Sequence, residues 1–219
     1  MESNGKSAHV SELWQRLDAM ENEMRFGGKS YPVGMCTFPF RLKGQGFFPG
    51  GDGLWRNDGE LSTAGEGVLR QGGVIFLGND FGVLHSYKKL EKRGFENVPT
   101  WRHIKLRATA ASIPTEMAFF TNTIMGLRVD GSALTQRSWQ KLAGFPRFCG
   151  EFLDFQFSVL RPRLTVVMGP HAAAAFDALA DKKAAGRVLY TTHPYADFRL
   201  SEKRRLTDIA ELKAAWLAA

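Results

Sequence analysis

The sequence predicts an α/β fold built on a parallel sheet, and three observations carry that prediction. First, four short apolar runs, Gly73–Leu77, Ala118–Phe120, Leu164–Met168 and Val188–Tyr190, lack the polar alternation of a sheet with one wet face. Bounded apolar stretches of this kind suit strands buried on both faces. Second, strand and helix patterns alternate through the second half of the chain, which argues right-handed crossovers between parallel strands. Third, each run stops at polar residues of a kind that does chemistry: Gly78-Asn79-Asp80-Phe81-Gly82, Thr121-Asn122, Gly169-Pro170-His171 and Thr191-Thr192-His193-Pro194. Open α/β sheets bind ligands at the carboxyl ends of their strands. An aspartate, an asparagine and a histidine far apart in sequence are therefore expected to meet in one crevice.

Around these strands the other elements fall in order. Residues 8–26 read as an amphipathic helix through Val10, Leu13, Trp14, Leu17 and Met24. A glycine- and aromatic-rich segment, residues 27–73, follows and includes Gly44-Gln45-Gly46-Phe47-Phe48-Pro49-Gly50-Gly51-Asp52-Gly53. Long connections without regular structure tend to be functional, so this one is expected to wrap the core and line the crevice. His85–Arg93 is a short basic segment and Trp101–Ala111 a helix leading to the second strand. Residues 135–160 suggest a helix pair broken at Gly144-Phe145-Pro146, and Ala172–Ala185 a helix directly after the third strand. Ser201–Ala219 is helical, with Leu206, Ile209, Leu212 and Trp216 on one face and Ser201 suited to its cap.

Size and composition narrow the function. The 219 residues suffice for a single domain with a full core, and neither an internal repeat nor a domain boundary is visible. No apolar stretch approaches the ~18–20 residues of a membrane span, and Met1-Glu2-Ser3-Asn4-Gly5-Lys6 does not open a secretory signal. A cytoplasmic protein without membrane contact is expected. Cys36 and Cys149 are the only cysteines, too few for a four-cysteine zinc or iron–sulphur site, and they are expected as free thiols. A formal charge of +7 favours a polyanionic partner such as nucleic acid.

Two phosphate-loop lookalikes fail. Gly27-Gly28-Lys29-Ser30 ends like a P-loop, but the first glycine of that pattern falls on Glu23 and no strand precedes it. Gly44-Gln45-Gly46 lacks the third glycine of a dinucleotide loop. No Gly-x-Ser-x-Gly nucleophile elbow occurs, His9, His85 and His103 show no metal spacing, and His171 suits a structural role at a helix start. His193-Pro194 differs. It ends a strand and is followed by Tyr195, Asp197, Phe198 and Arg199, then Lys203-Arg204-Arg205. Aromatic and basic residues interleaved behind a rigid proline suit a nucleic-acid loop; a solvated helix start is the plain alternative.

Taken in order, Gly78-Asn79-Asp80-Phe81-Gly82, Phe120-Thr121-Asn122, Val166-Val167-Met168-Gly169 and Thr192-His193-Pro194 resemble the uracil-DNA glycosylase superfamily. The resemblance covers roughly residues 70–200, and the spacings from Asp80 to Asn122 and on to His193 are similar to those of the smaller bacterial members. It implies a three-layer αβα sandwich with a central four-stranded parallel sheet, acting on DNA by extruding a base, without metal or organic cofactor. Asp80 matches the acidic position that orients a water and stabilises the oxocarbenium-like sugar. Asn122 matches the asparagine that reads the edge of the flipped base, since an amide offers donor and acceptor together. His193 matches the histidine that donates to the base oxygen as it gains charge. Asn79, Phe81, Gly82 and Trp101 would complete the base pocket. Tyr195, Phe198, Arg199, Lys203 and Arg204 would meet the DNA, with Phe198 or Leu200 as the wedge.

The chain departs from the family's familiar forms. Phe81 and Gly82 stand where a proline and a bulky tyrosine are usual, Asn79 replaces glutamine or glutamate, and Tyr195 follows His193-Pro194 in place of serine. The four cysteines of the iron–sulphur branch are absent. The resemblance is thus to an atypical branch. It implies a monomeric, monofunctional glycosylase that leaves an abasic site, because no lysine stands at a strand end to form a Schiff base. Two substrates are open: uracil, or a C5-modified cytosine (hydroxymethylated or glucosylated) of viral DNA, the latter implying antiviral defence. The alternative is a non-catalytic nucleic-acid-binding protein on the same fold.

Overall fold

The computed structural model describes residues 8–23, 31–39, 68–93, 99–114, 117–129, 144–179 and 182–219. Strand β1 (Ala8–His9) leads into helix α1 (Val10–Glu23), whose Leu13, Trp14, Leu17 and Met20 are buried at helical spacing. Two short strands, β2 (Met35–Cys36) and β3 (Val68–Leu69), precede β4 (Val74–Gly78), α2 (Leu84–Arg93) and α3 (Pro99–Ala110). Next come β5 (Ala118–Asn122), β6 (Leu127–Arg128), α4 (Phe145–Leu160), β7 (Leu164–Met168), α5 (Gly169–Asp177), β8 (Arg187–Thr191) and α6 (Glu202–Leu217). Single 3-10 segments span Lys183–Ala185 and Pro194–Arg199.

The four apolar runs form one parallel sheet in the order β5-β4-β7-β8, flanked by helices as a three-layer α/β sandwich. Every residue of β4, β5 and β7 is buried, which is why these strands carry no polar alternation. β8 is an edge strand and has no fully buried residue. From β4 the chain crosses to β5 on one side, then returns to β7 on the other, so the connections diverge between β4 and β7. In open α/β sheets ligands bind at such a reversal, outside the strands' carboxyl ends. The core below it is rich in phenylalanine: Phe76 stacks on Phe120 at 5.0 Å, and α4 buries Phe145, Phe148, Phe152 and Phe157. Each such ring removed from water contributes about 1.5–3 kcal/mol. Two antiparallel ribbons, β1–β3 and β2–β6, lie outside the main sheet.

Several boundaries move from their expected places. Thr121 and Asn122 belong to β5 itself rather than to the loop after it. The helix expected over Ala172–Ala185 begins at Gly169, with Pro170 in its first turn, and ends at Asp177. Gly144-Phe145-Pro146 is the start of α4, where Gly144 adopts φ 79°. On α6 the buried face is Asp208, Leu212, Ala215 and Trp216, whereas Leu206 is exposed. Of segment 27–73, residues 31–39 and 68–73 are described, and Gly44–Gly53 lies outside them, as does the stretch 135–143. Among the described residues no helix is long and apolar enough to cross a membrane.

Candidate active site

Strand register brings the expected residues to one edge of the sheet. β4 and β5 pair from Val74 opposite Ala118 to Gly78 opposite Asn122, and β7 and β8 pair up to Met168 opposite Thr191. Asp80 follows Gly78 by two residues and His193 follows Thr191 by two. Beyond the strands, Thr123 N–H donates to Gly78 O and Ile124 N–H to Asn79 O, both at 2.9 Å, and the Thr123 hydroxyl donates to Asn79 O at 3.0 Å. The chain leaving β5 thus stays zipped to the loop that carries Asp80.

Asn122 is buried at the end of β5. Gly78, its partner across the sheet, is a glycine because a Cβ there would overlap Asn122 Oδ1. Asn122 Nδ2 and Asn79 Oδ1 are both buried and find no hydrogen-bond partner among the described residues. A buried donor and a buried acceptor left unmet cost about 1–3 kcal/mol each. A ligand acceptor reaching Asn122 Nδ2, or a ligand donor reaching Asn79 Oδ1, would satisfy the group it meets.

The Asp80 carboxylate is a quarter exposed and held from three directions. Its Oδ1 accepts from Gly82 N–H at 2.7 Å, its Oδ2 accepts from Asn79 Nδ2 at 2.8 Å, and Arg128 Nη2 stands 3.5 Å from Oδ1. Arg128 N–H also donates to Gly82 O at 3.1 Å, so β6 closes over the loop. A carboxylate has about four lone-pair sites, which leaves room for a water. Gly82 has φ 86°, a left-handed conformation that favours glycine, and a Cβ there would meet no atom within 4 Å. Its backbone therefore explains the missing side chain independently of any pocket. Phe81 is partly buried and packs edge-on against Phe38 at 5.1 Å, and Phe38 in turn contacts Trp14 and Tyr87.

His193 sits just past β8. Tyr195 N–H donates to its Nδ1 at 3.1 Å, which makes Nδ1 an acceptor and leaves the ring proton on Nε2. Gly169, at φ 86°, opens α5 against this residue, and a Cβ there would lie 2.9 Å from His193 Cβ. Behind His193, Arg107 of α3 donates through Nη1 to Thr191 Oγ1 at 3.1 Å and Thr192 O at 3.0 Å, and through Nη2 to Thr192 Oγ1 at 2.9 Å. Arg107 Nη2 also lies 3.5 Å from Asp208 Oδ2 of α6, and the Thr192 hydroxyl donates to Asp208.

The expected DNA-contacting residues fall on the next two elements. Tyr195 and Arg199 are exposed on the 3-10 segment, and Lys203 and Arg204 are exposed in the first turn of α6, which Ser201 caps by accepting from Arg204 N–H at 3.3 Å. Arg204 Nε is 2.8 Å from Asp208 Oδ1, so one expected phosphate contact is engaged within the protein. Leu200 is half-buried. The side chains of Trp101 and Phe198 lie outside the described residues.

Sequence reasoning missed Arg128, Arg107 and Asp208. A signal existed for the last two: each stands on the buried stripe of its helix, Arg107 with Ile104 and Ala108, Asp208 with Leu212 and Ala215. A charge on an apolar stripe requires a partner. Cys36 and Cys149 are free; burial pushes the Cys149 thiol up to about 12 and raises Cys36 as well, so neither is an activated nucleophile. Among the described residues no three His, Cys, Asp or Glu side chains form a metal-holding group. Set against known proteins, the chain matches no family model and no curated protein.

Proposed function

We propose that this protein is a DNA glycosylase that flips a pyrimidine out of DNA and hydrolyses its N-glycosidic bond, leaving an abasic site. The observation that carries the proposal is the convergence of Asp80, Asn122 and His193 at one sheet edge, with His193 held so that Nε2 is the donor. In this reading the flipped base leaves with the electron pair of the C1′–N bond. Asp80 stabilises the positive charge that develops on the sugar and directs a water to C1′. His193 Nε2–H donates to the base oxygen that becomes negative, an interaction of the kind worth about 3–4 kcal/mol when preorganised. The unmet Asn122 Nδ2 and Asn79 Oδ1 supply the donor and acceptor that read the base edge. Net charge of +7 and the exposed Arg199 and Lys203 supply the attraction to phosphate.

Uracil and C5-modified cytosine remain the two substrate classes, and open space beside Gly82 favours neither alone. The test is base release from matched oligonucleotides bearing uracil, hydroxymethylcytosine or glucosylated hydroxymethylcytosine, single- and double-stranded, with abasic sites scored by alkaline cleavage. Release that depends on both Asp80 and His193 is expected. Salt-sensitive DNA binding with no base released would leave a binding protein in its place.

A further inference from the structure

We infer that the buried Arg107–Asp208 pair is a positioning clamp for the strand end that carries His193; its catalytic consequence rests on the glycosylase reading above. The two side chains retain 7% and 1% exposure, so the pair is almost fully withdrawn from water. Taking such a pair out of water costs about as much as the attraction returns, and apolar replacements of similar volume are often neutral or stabilising. Stability alone therefore does not account for it.

What the pair touches does. Arg107 directs its hydrogen bonds to Thr191 Oγ1, Thr192 O and Thr192 Oγ1, the two residues that immediately precede His193. Asp208 accepts the Thr192 hydroxyl proton, so Thr192 is held between α3 and α6. A planar guanidinium fixes direction as well as distance, which a lysine ammonium would not. β8 is one of the two edge strands, with one neighbour in the sheet and, unlike β5, little buried side-chain surface, so its end lacks the two-sided support that β4 gives Asp80. The clamp supplies that missing side. On the far side Gly169 admits His193 to close contact, so the histidine is set between a glycine and a clamped threonine pair.

Asp208 extends the arrangement outward. Its Oδ1 lies 2.8 Å from Nε of the half-exposed Arg204, which links the basic first turn of α6 to the His193 segment. Arg107 and Asp208 are positioning residues in this scheme and touch no substrate.

The test compares the parent with R107M/D208L, which removes both charges together, and with T192V, which keeps the ion pair and removes the two of its four hydrogen bonds to the His193 segment that pass through the Thr192 hydroxyl. Circular dichroism and Tm establish folding, proton NOEs between His193 and Gly169 report the position of the segment, and single-turnover base release at saturating DNA reports the rate. We expect folded variants with weakened His193–Gly169 NOEs, a rate about 10- to 100-fold lower and unchanged half-saturating DNA concentration. T192V should move in the same direction and decides the matter if R107M/D208L does not fold. Parent-like NOEs and rate in a folded variant would overturn the clamp. If the parent releases no base, the NOEs alone judge the clamp, and the glycosylase reading fails separately.

Discussion

Asp80 and His193 stand at the same edge of one sheet but are held in opposite ways. Asp80 belongs to the loop after the central strand, and its tightest partners, Asn79 and Gly82, are its own neighbours in sequence. His193 follows an edge strand; its ring takes one local bond, from Tyr195 N–H, but the groups behind it come from α3, 85 residues from Thr192, and from α6, 16 residues on. The lesson is that a carboxylate on a central strand can be oriented by a local turn, whereas a donor on an edge strand borrows rigidity from other layers. Damage should follow the same division. Around Asp80, the residues of the turn itself should matter most, with Arg128 of β6 the one distant contributor. Around His193, substitutions in distant helices should reach the site.

The largest effect expected is that of Asp80→Asn, which keeps the shape and removes the charge: base release should fall about 10²- to 10⁴-fold, measured in single turnover. His193→Ala should cost about 10²- to 10³-fold, the usual loss for one preorganised donor. A His193 variant with full rate would break the comparison at its root. Asn79→Ala removes a hydrogen bond to the Asp80 carboxylate, for which about tenfold is expected (about 1.5 kcal/mol for a bond to a charged group), and with it the Oδ1 proposed to read the base edge, so the total loss should exceed tenfold. Replacing Gly82 separates its two roles. Gly82→Ala should lower stability by about 1–3 kcal/mol through the left-handed backbone, visible in urea denaturation, while sparing uracil release. Gly82→Tyr carries the same backbone cost and should in addition abolish release of any C5-bulky base. Equal loss on uracil and bulky bases would sink the pocket argument.

One further effect is of pH and acts on stability alone. The Cys149 thiol is raised by burial to about 12, whereas an unfolded thiol titrates near 8.5. The folded state therefore keeps a proton that the unfolded state releases, and the stability this represents is complete below pH ~8.5 and lost as pH rises towards 12. Cys149→Ala should flatten the fall of Tm over that range, and an alkylating reagent should reach Cys36 well before Cys149.

Three strands of the sheet were legible because they are buried on both faces, so apolar runs with sharp polar ends mark them. β8 shows the same kind of run, Val188–Tyr190, but has no fully buried residue, so two-sided burial was expected of one strand too many. The two-residue strands β1, β2, β3 and β6 left no such mark, being too short to set a period. Asp80, Asn122 and His193 were legible as polar residues at strand ends, where sequence position implies spatial position. Arg128 was not, because its contact with Asp80 depends on how a short ribbon folds over the loop. Leu206 was misplaced because the expected stripe, through Leu206, Ile209, Leu212 and Trp216, ranked apolar residues above a buried charge. The stripe that packs runs through Asp208 instead.

The order β5-β4-β7-β8 also bears on how the molecule is made. Val74 pairs with Leu164, so the central strand acquires its second neighbour only after most of the chain has left the ribosome. The β4–β5 pair can close early, but the reversal between β4 and β7 cannot exist before the late strands arrive. Non-local parallel pairing of this kind is slow, because loop closure precedes the contacts that reward it. Nascent chains ending before Leu164 would expose a central strand with one open edge, a surface that invites chaperones or aggregation.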